Sequence, residues 1–380
     1  MKVAYVTTYD PSEISNWSGS GYFMAKALAH QSIEVVHIGP LKEYGDRLIQ
    51  AKELVYKYVA RKNYRKDREP KILFSYADQV AGQLKSVRAD IVFSPGTIPI
   101  CYLECRTPIV FWTDATVAGM INFYQSWSNL CRESLTNANN MEQAALSHCR
   151  LAIYSSDWAA RTAKDNYEVE PSKVKVVPFG ANIECYRDLQ DIRRLISKRS
   201  TDVCKLLFMG VDWYRKGGDL AVELATALNS RGLKTELTIV GCTPSEVTPD
   251  FVSLKGFISK TTKSGQATID NLLAESHYLV LPTRADCVPV VIAEANSFGV
   301  PVVTSNVGGI PTVVNDGING AAFDIGNFVD PACDFILNSL GHSSAYSLLA
   351  ESSFGHYQDR LNWQVAGKKV KQFLEGMCAS

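Results

Sequence analysis

"CKLLFMGVDWYRKGGDLAVELATALNSRGLKTELTIVG" (Cys204–Gly241) holds a strand, a turn, a helix and a second strand in one short span. Its first seven residues are almost continuously apolar, which suits a strand buried on both faces of a parallel sheet. Gly210 stops that run. The spacing then predicts a helix over Gly218–Ser230, and "LKTELTIVG" reads as strand again. The same alternation continues downstream through "FVSLKGF", "YLVLP", "VPVVTS" and "GAAFD", with helices expected at Ala267–Ser276, Val290–Phe298 and Val329–Leu340. Upstream, the strand candidates are "KVAYVTT", "IEVVHIG", "ADIVFSP", "PIVFWTD", "LAIYSS" and "VKVVPF", with helical patterns at Tyr22–Gln31 and Asn139–Cys149.

Strands alternating with helices argue for doubly wound α/β sheets. Two such series predict two Rossmann-like domains, joined near "VPFGANIECY" (Val177–Tyr186), where Pro178 and Gly180 close the first series. The expected division is residues 1–180 and 181–356, with 357–380 packing back on the first domain. A chain of 380 residues also exceeds the usual size of a single core.

Composition is that of a soluble globular protein, with 46% apolar and 21% charged residues. Lys+Arg and Asp+Glu both number 39, so overall charge gives no case for a nucleic-acid partner. The ten cysteines include no CxxC, and the six histidines form no HxxxH or HxH, so no metal site is expected. Scattered thiols suit a reducing compartment. The opening "MKVAYVTTY" has no apolar signal core, and no apolar run approaches about 18 residues. A cytoplasmic chain is the expectation.

In open α/β sheets, ligands bind at the carboxyl ends of strands, where helix N-termini face the crevice. Three such places carry unusual residues. After the first strand, Gly19 and Gly21 flank Ser20 just before a helix, so the backbone can approach a ligand closely. This is not the dinucleotide pattern, because Met24 stands where a third glycine is needed. After "CKLLFM", Gly210 is followed by Arg215 and Lys216, adjacent cations at a helix start, where the dipole favours negative charge. A polyphosphate would account for them, Arg gripping it bidentately and Lys acting as a point charge. After "YLVLP", Asp286 lies in a loop and Glu294 in the second turn of a helix, for which Pro289 suits the first position. The N–H groups of Val290 and Val291 would lead that helix, and an ionised Glu294 inside "VVIAEA" needs a partner. A flexible loop, a solvated basic turn and an N-cap acid are the plain readings of these features. His148, His277 and Cys287 are read as packing residues.

"FMGVDWYRKGGDLAVELA", "TRADCVPVVIAEANSFGVPVVTSNVGGIPTVVNDGINGAAF" and "VVPFGAN" together resemble the family-4 retaining glycosyltransferases of the GT-B fold. The order and spacing run across most of residues 205–323. The glycine loop, "SSDWAARTA" and "LNWQVAGKKVKQFL" resemble that family more loosely. The resemblance implies two Rossmann-like domains facing across a cleft, a final helix crossing back, and a nucleotide-diphosphate sugar as donor with no cofactor or metal. It implies that Arg215 and Lys216 hold the diphosphate, Glu294 the ribose hydroxyls and Asp286 the donor sugar. Gly19 and Gly21 would approach from the facing domain. Asp286 stands where the family motif has Glu, Pro289 where it has Gly, Thr312 where its tail has Glu, and Val211 where many members have Arg. Asp114, in "VFWTDATVAGM", is the candidate for the place of the family's sugar-facing His. The alternatives are an epimerase or phosphorylase on the same fold, or a catalytically weak subunit that binds nucleotide-sugar.

One basic stretch stands apart. "AKELVYKYVARKNYRKDREPK" (Ala51–Lys71) interleaves eight cations with tyrosines and valines. A helix of this kind either packs its apolar face on the domain or rests on anionic lipid.

Overall fold

The computed structural model describes residues 1–45, 47–244 and 247–379. The chain divides into two compact units, one comprising Met1–Pro178 with Ala366–Ser380 and the other Phe179–Val365. All twelve expected strands form. In the first unit they are β1 (Lys2–Val6), β2 (Glu34–Ile38), β3 (Ile91–Ser94), β4 (Ile109–Thr113), β5 (Leu151–Tyr154) and β6 (Val174–Val176). In the second they are β7 (Cys204–Met209), β8 (Thr235–Val240), β9 (Val252–Leu254), β10 (Tyr278–Leu281), β11 (Val302–Ser305) and β12 (Gly320–Phe323).

Each set makes one six-stranded sheet, ordered β2-β1-β3-β4-β5-β6 and β12-β11-β10-β7-β8-β9. Neighbouring strands run parallel throughout, for instance Leu206 beside Leu237 and Leu207 beside Leu279. The continuous apolar runs follow from this. Along β7, Leu207 and Met209 enter the core on one face, while Cys204, Leu206 and Phe208 enter the core on the other. A strand covered on both faces has no side that tolerates polar residues.

Helix ends differ more from expectation than strands do. The helices at Gly218–Ser230 and Val329–Leu340 form as read. Others start earlier, at Ser20–His30, Arg132–His148 and Lys263–Glu275. Pro289 is the cap that precedes helix Val290–Asn296, not its first residue, because its ψ of 113° is extended. The basic stretch is no single helix. An α-helix, Arg47–Val55, runs into a wider turn at Tyr56–Ala60, and Arg61 at φ 51° ends it.

In the second unit, Gly180 permits a backbone contact that any other residue would block: a Cβ there would sit 2.3 Å from the Trp363 amide nitrogen. The contact is completed by Trp363 Nε1 donating to Asn182 Oδ1 at 3.0 Å and by Phe179 stacked on Trp363.

Candidate active site

In each sheet the chain leaves in one direction and returns on the other side of its first strand. The order reverses between β1 and β3 in the first unit, and between β7 and β10 in the second. Loops leaving the carboxyl ends of such neighbours diverge and open a crevice.

The second unit's reversal brings Lys216 and Asp286 together. Met209 ends β7, and Asp212 caps a short helix, Trp213–Lys216, by accepting from the Arg215 amide at 3.0 Å. The two cations therefore lie in a last helical turn, where the dipole favours positive charge, as well as just before helix Gly218–Ser230. Between the helices stands Gly217 at φ 76°, where a Cβ would lie 2.0 Å from the Pro282 carbonyl oxygen. That close approach docks the β7 loop on the β10 loop. Thr283 Oγ1 and the Arg284 amide then both donate to the Arg215 carbonyl, at 3.0 and 2.7 Å.

From this scaffold Lys216 Nζ makes an ion pair with Asp286 Oδ2. The Arg215 guanidinium lies 3.8 Å from the same oxygen and donates to the Ala285 carbonyl at 3.0 Å. Asp286 is only 7% exposed, so two cations converge on a nearly dry carboxylate. Gly210 has a packing role: a Cβ there would meet Lys216 Cγ at 2.9 Å, so the bare backbone lets the lysine stem lie against the strand end. Val211 is exposed beside it.

Glu294 lies in helix Val290–Asn296 and is 0% exposed, and Val290 and Val291 lead that helix. The first amides of any helix have no intrahelical acceptor. The partner that a buried Glu294 requires is Lys260, whose Nζ reaches its two oxygens at 2.6 and 2.5 Å. Lys260 belongs to the loop after β9, thirty-four positions away, and no spacing rule in the sequence points to it. Arg284 was also hidden. It makes a two-pronged contact with Asp219, both bonds 2.8 Å, and lies 4.0 Å over the Tyr214 ring, bracing the start of helix Gly218–Ser230.

The first unit's reversal holds the glycine loop. Trp17, Ser18 and Gly19 adopt left-handed φ values of 47°, 54° and 90°, and helix Ser20–His30 follows at once. The space in front of Gly21 is filled: a Cβ there would lie 2.2 Å from the Tyr9 hydroxyl. Ser20 is buried, and Tyr5 donates to the Gly21 carbonyl at 2.8 Å. Tyr9 also links this loop to Asp114, just beyond β4. Burial first, and the Asp114 charge second, push the Tyr9 hydroxyl up to about 12. Gly21 thus packs against Tyr9, and Asp114 is near enough for its charge to act on that hydroxyl.

Among the described residues, no group of three or more His, Cys, Asp or Glu is placed to hold a metal ion. Likewise, no helix among them is long and apolar enough to cross a membrane.

Comparison with known proteins agrees with this architecture. The family model for "Glycosyltransferase Family 4" matches residues 22–184, and that for "Glycosyl transferases group 1" matches residues 204–340. The chain belongs to the family-4 glycosyltransferases. Among curated members, the D-inositol 3-phosphate glycosyltransferase of Acidothermus cellulolyticus is 26% identical over 239 residues, covering 55% of this chain and 53% of its own. A phosphatidylinositol N-acetylglucosaminyltransferase subunit of Arabidopsis thaliana is 20% identical, covering 60% of each chain. The chain thus spans about half the length of the curated relatives it matches. Solved structures share the glycosyltransferase fold along the whole chain. Sucrose-phosphate synthase from Thermosynechococcus elongatus superposes with a TM-score of 0.67 at 14% identity, covering 100% of this chain and 99% of its own. WaaG, a glycosyltransferase of lipopolysaccharide biosynthesis, gives 0.61 at 17%, covering 98% and 99%. Anabaena HepE in complex with UDP and glucose gives 0.62 at 15%, covering 99% of each.

Proposed function

We propose that this glycosyltransferase moves a sugar from a nucleotide-diphosphate sugar to an acceptor hydroxyl, with retention at the anomeric carbon. The observation that carries this reading is the convergence of Lys216 and Arg215 on Asp286 at the reversal point of the second sheet. In the reaction the bond from the anomeric carbon to the diphosphate breaks and its electron pair leaves with the diphosphate. The acceptor oxygen takes that carbon and passes its proton to an oxygen of the departing diphosphate. Negative charge grows on the departing phosphate, where Lys216 and Arg215 act. Preorganised charge of this kind is often the largest single contribution to catalysis. Glu294 holds the ribose, Asp286 the sugar hydroxyls, and Asp114 lies beside the glycine loop on the acceptor side.

A donor panel opens with UDP-glucose, since HepE has been solved with UDP-glucose, and continues with GDP- and ADP-sugars. The acceptor panel opens with D-inositol 3-phosphate, for which several relatives are named. Lys216→Ala should cut turnover by at least about tenfold, and by as much as ~10²–10³, with the fold intact by circular dichroism. Wild-type turnover in that variant removes Lys216 from the mechanism. Proton NMR of the product checks retention.

A second reading concerns location, and an inverted helix favours it. On Arg47–Val55 and the turn that follows, Ile49 is buried, and Lys52 and Tyr56 face inward to Glu133. The apolar residues face outward instead: Leu48 is 73% exposed and Val59 78%, with Leu54, Val55 and Tyr58 beside them. Arg47, Lys57, Arg61 and Lys62 are exposed around this patch. We propose that it rests on an anionic lipid surface, apolar side chains in the headgroup layer and cations on the lipid charge. The full chain should float with phosphatidylserine vesicles at low salt, and Leu48→Glu with Val59→Glu should abolish this. Wild-type protein that stays at the bottom of the gradient ends the proposal.

A further inference from the structure

Lys260 holds the very residue that the donor's ribose would need. Its Nζ lies 2.6 and 2.5 Å from the two oxygens of Glu294, so it sits astride the carboxylate rather than against one oxygen. That is the place a vicinal diol takes when it gives one hydroxyl hydrogen to each oxygen. An ammonium and a ribose edge cannot both fill it. Because Glu294 is fully buried, it also has no other face to offer.

The loop that carries Lys260 keeps its main chain fixed. Gln266 Nε2 donates to the Lys260 carbonyl at 2.8 Å, and Thr262 caps the following helix by accepting from the Gly265 amide at 3.1 Å. Gly265 is tight against the same turn, since a Cβ there would lie 1.9 Å from the Ser259 carbonyl oxygen. The side chain, in contrast, is 27% exposed on a flexible four-carbon stem. It can leave Glu294 for solvent without moving the loop.

We infer that Lys260 is a specificity-determining residue that competes with the ribose diol of the donor for Glu294. It thereby sets nucleotide affinity and ties that affinity to the presence of both ribose hydroxyls. The inference rests on the reading that Glu294 receives the ribose. A nucleotide without those hydroxyls would leave the Lys260–Glu294 pair in place.

The test measures dissociation constants by calorimetry on the full chain. UDP, GDP and ADP are titrated first, and the tightest binder is then compared with its 2′,3′-dideoxy analogue. In Lys260→Met, the ribonucleotide should bind about tenfold tighter, because no ion pair has to be broken, while the dideoxy analogue binds as to wild type. Lys260→Arg covers the case in which Lys260→Met does not fold. Its planar fork grips a carboxylate bidentately, so the ribonucleotide should bind about tenfold more weakly, again with the analogue unchanged. Equal or weaker ribonucleotide binding by Lys260→Met, or an equal shift for both nucleotides in either variant, overturns the competition and leaves the donor reading standing. If none of the three nucleotides binds wild type or variants, the donor reading falls and this inference with it.

Discussion

Glu294 and Glu142 are both withdrawn from water, one in each unit, yet the protein treats their charge in opposite ways. Glu294 is 0% exposed and has a lysine ammonium across both oxygens. Glu142 is 2% exposed, and among the described residues its hydrogen-bond partner is a neutral hydroxyl, Thr97 Oγ1, at 3.0 Å. Its second oxygen is buried and has no hydrogen-bond partner among the described residues. Arg68 lies close enough to pull the Glu142 pKa down somewhat, but its guanidinium donates to Asp67. Burial therefore dominates and pushes Glu142 up to about 7, while the Thr97 hydroxyl and Arg68 act against it. A carboxylic acid costs far less to bury neutral than ionised. The difference separates two uses of an acid. One site keeps a carboxylate ready to accept, with a cation parked on it. The other keeps an acid that the fold tolerates by protonating it.

The strongest way to break the comparison is to remove the parked cation. Lys260→Met leaves Glu294 buried without compensation, a change that typically costs about 3–5 kcal/mol. Chemical denaturation at pH 7.5 should show a loss in that range, and the nucleotide that binds best should restore more of it than it adds to wild type. A loss below about 1 kcal/mol would mean that water reaches Glu294 and that its burial is apparent only.

How far the sequence foretold these arrangements depends on the range of the interaction. The strands were legible because each is covered on both faces, which leaves an unbroken apolar run such as "CKLLFM". Helix ends were less so. Helix Arg132–His148 begins seven residues before the expected Asn139 because its first turns carry no apolar stripe. Its cap is also a thiol, Cys131 Sγ accepting from the Ser134 amide at 3.4 Å, and cysteine is outside the usual set of capping residues. At the site, Arg215, Lys216 and Asp286 could be named from motif and strand-end position. Their meeting depends on β10 returning to the far side of β7. Lys260 was invisible for a different reason. Nothing local distinguishes a loop lysine that reaches a buried acid from one that points to water. The only signal was Glu294 itself, an acid in an apolar stripe that had to have a partner.

Glu142 supplies the smaller and subtler prediction. The folded protein holds its proton up to about pH 7, whereas the unfolded chain releases it near the ordinary value of 4.5. The folded state thus binds more protons across that window, so the stability linked to Glu142 is full below about 4.5 and is lost as pH rises to about 7. His277 opposes this in the wild-type curve. Its ring lies between the Lys205 amide and the Ser200 carbonyl, and burial pulls it down to about 4 from 6.5, so its linked stability is lost as pH falls through that interval. The two slopes overlap, and the readable quantity is the difference between wild type and Glu142→Gln. The amide cannot ionise, so the variant should match wild type at pH 4.5 and exceed it by about 3 kcal/mol at pH 8. Urea denaturation at half-unit intervals of pH measures this directly. A difference that does not change with pH would show Glu142 ionised in the folded protein, and the contrast with Glu294 would then be one of partners alone.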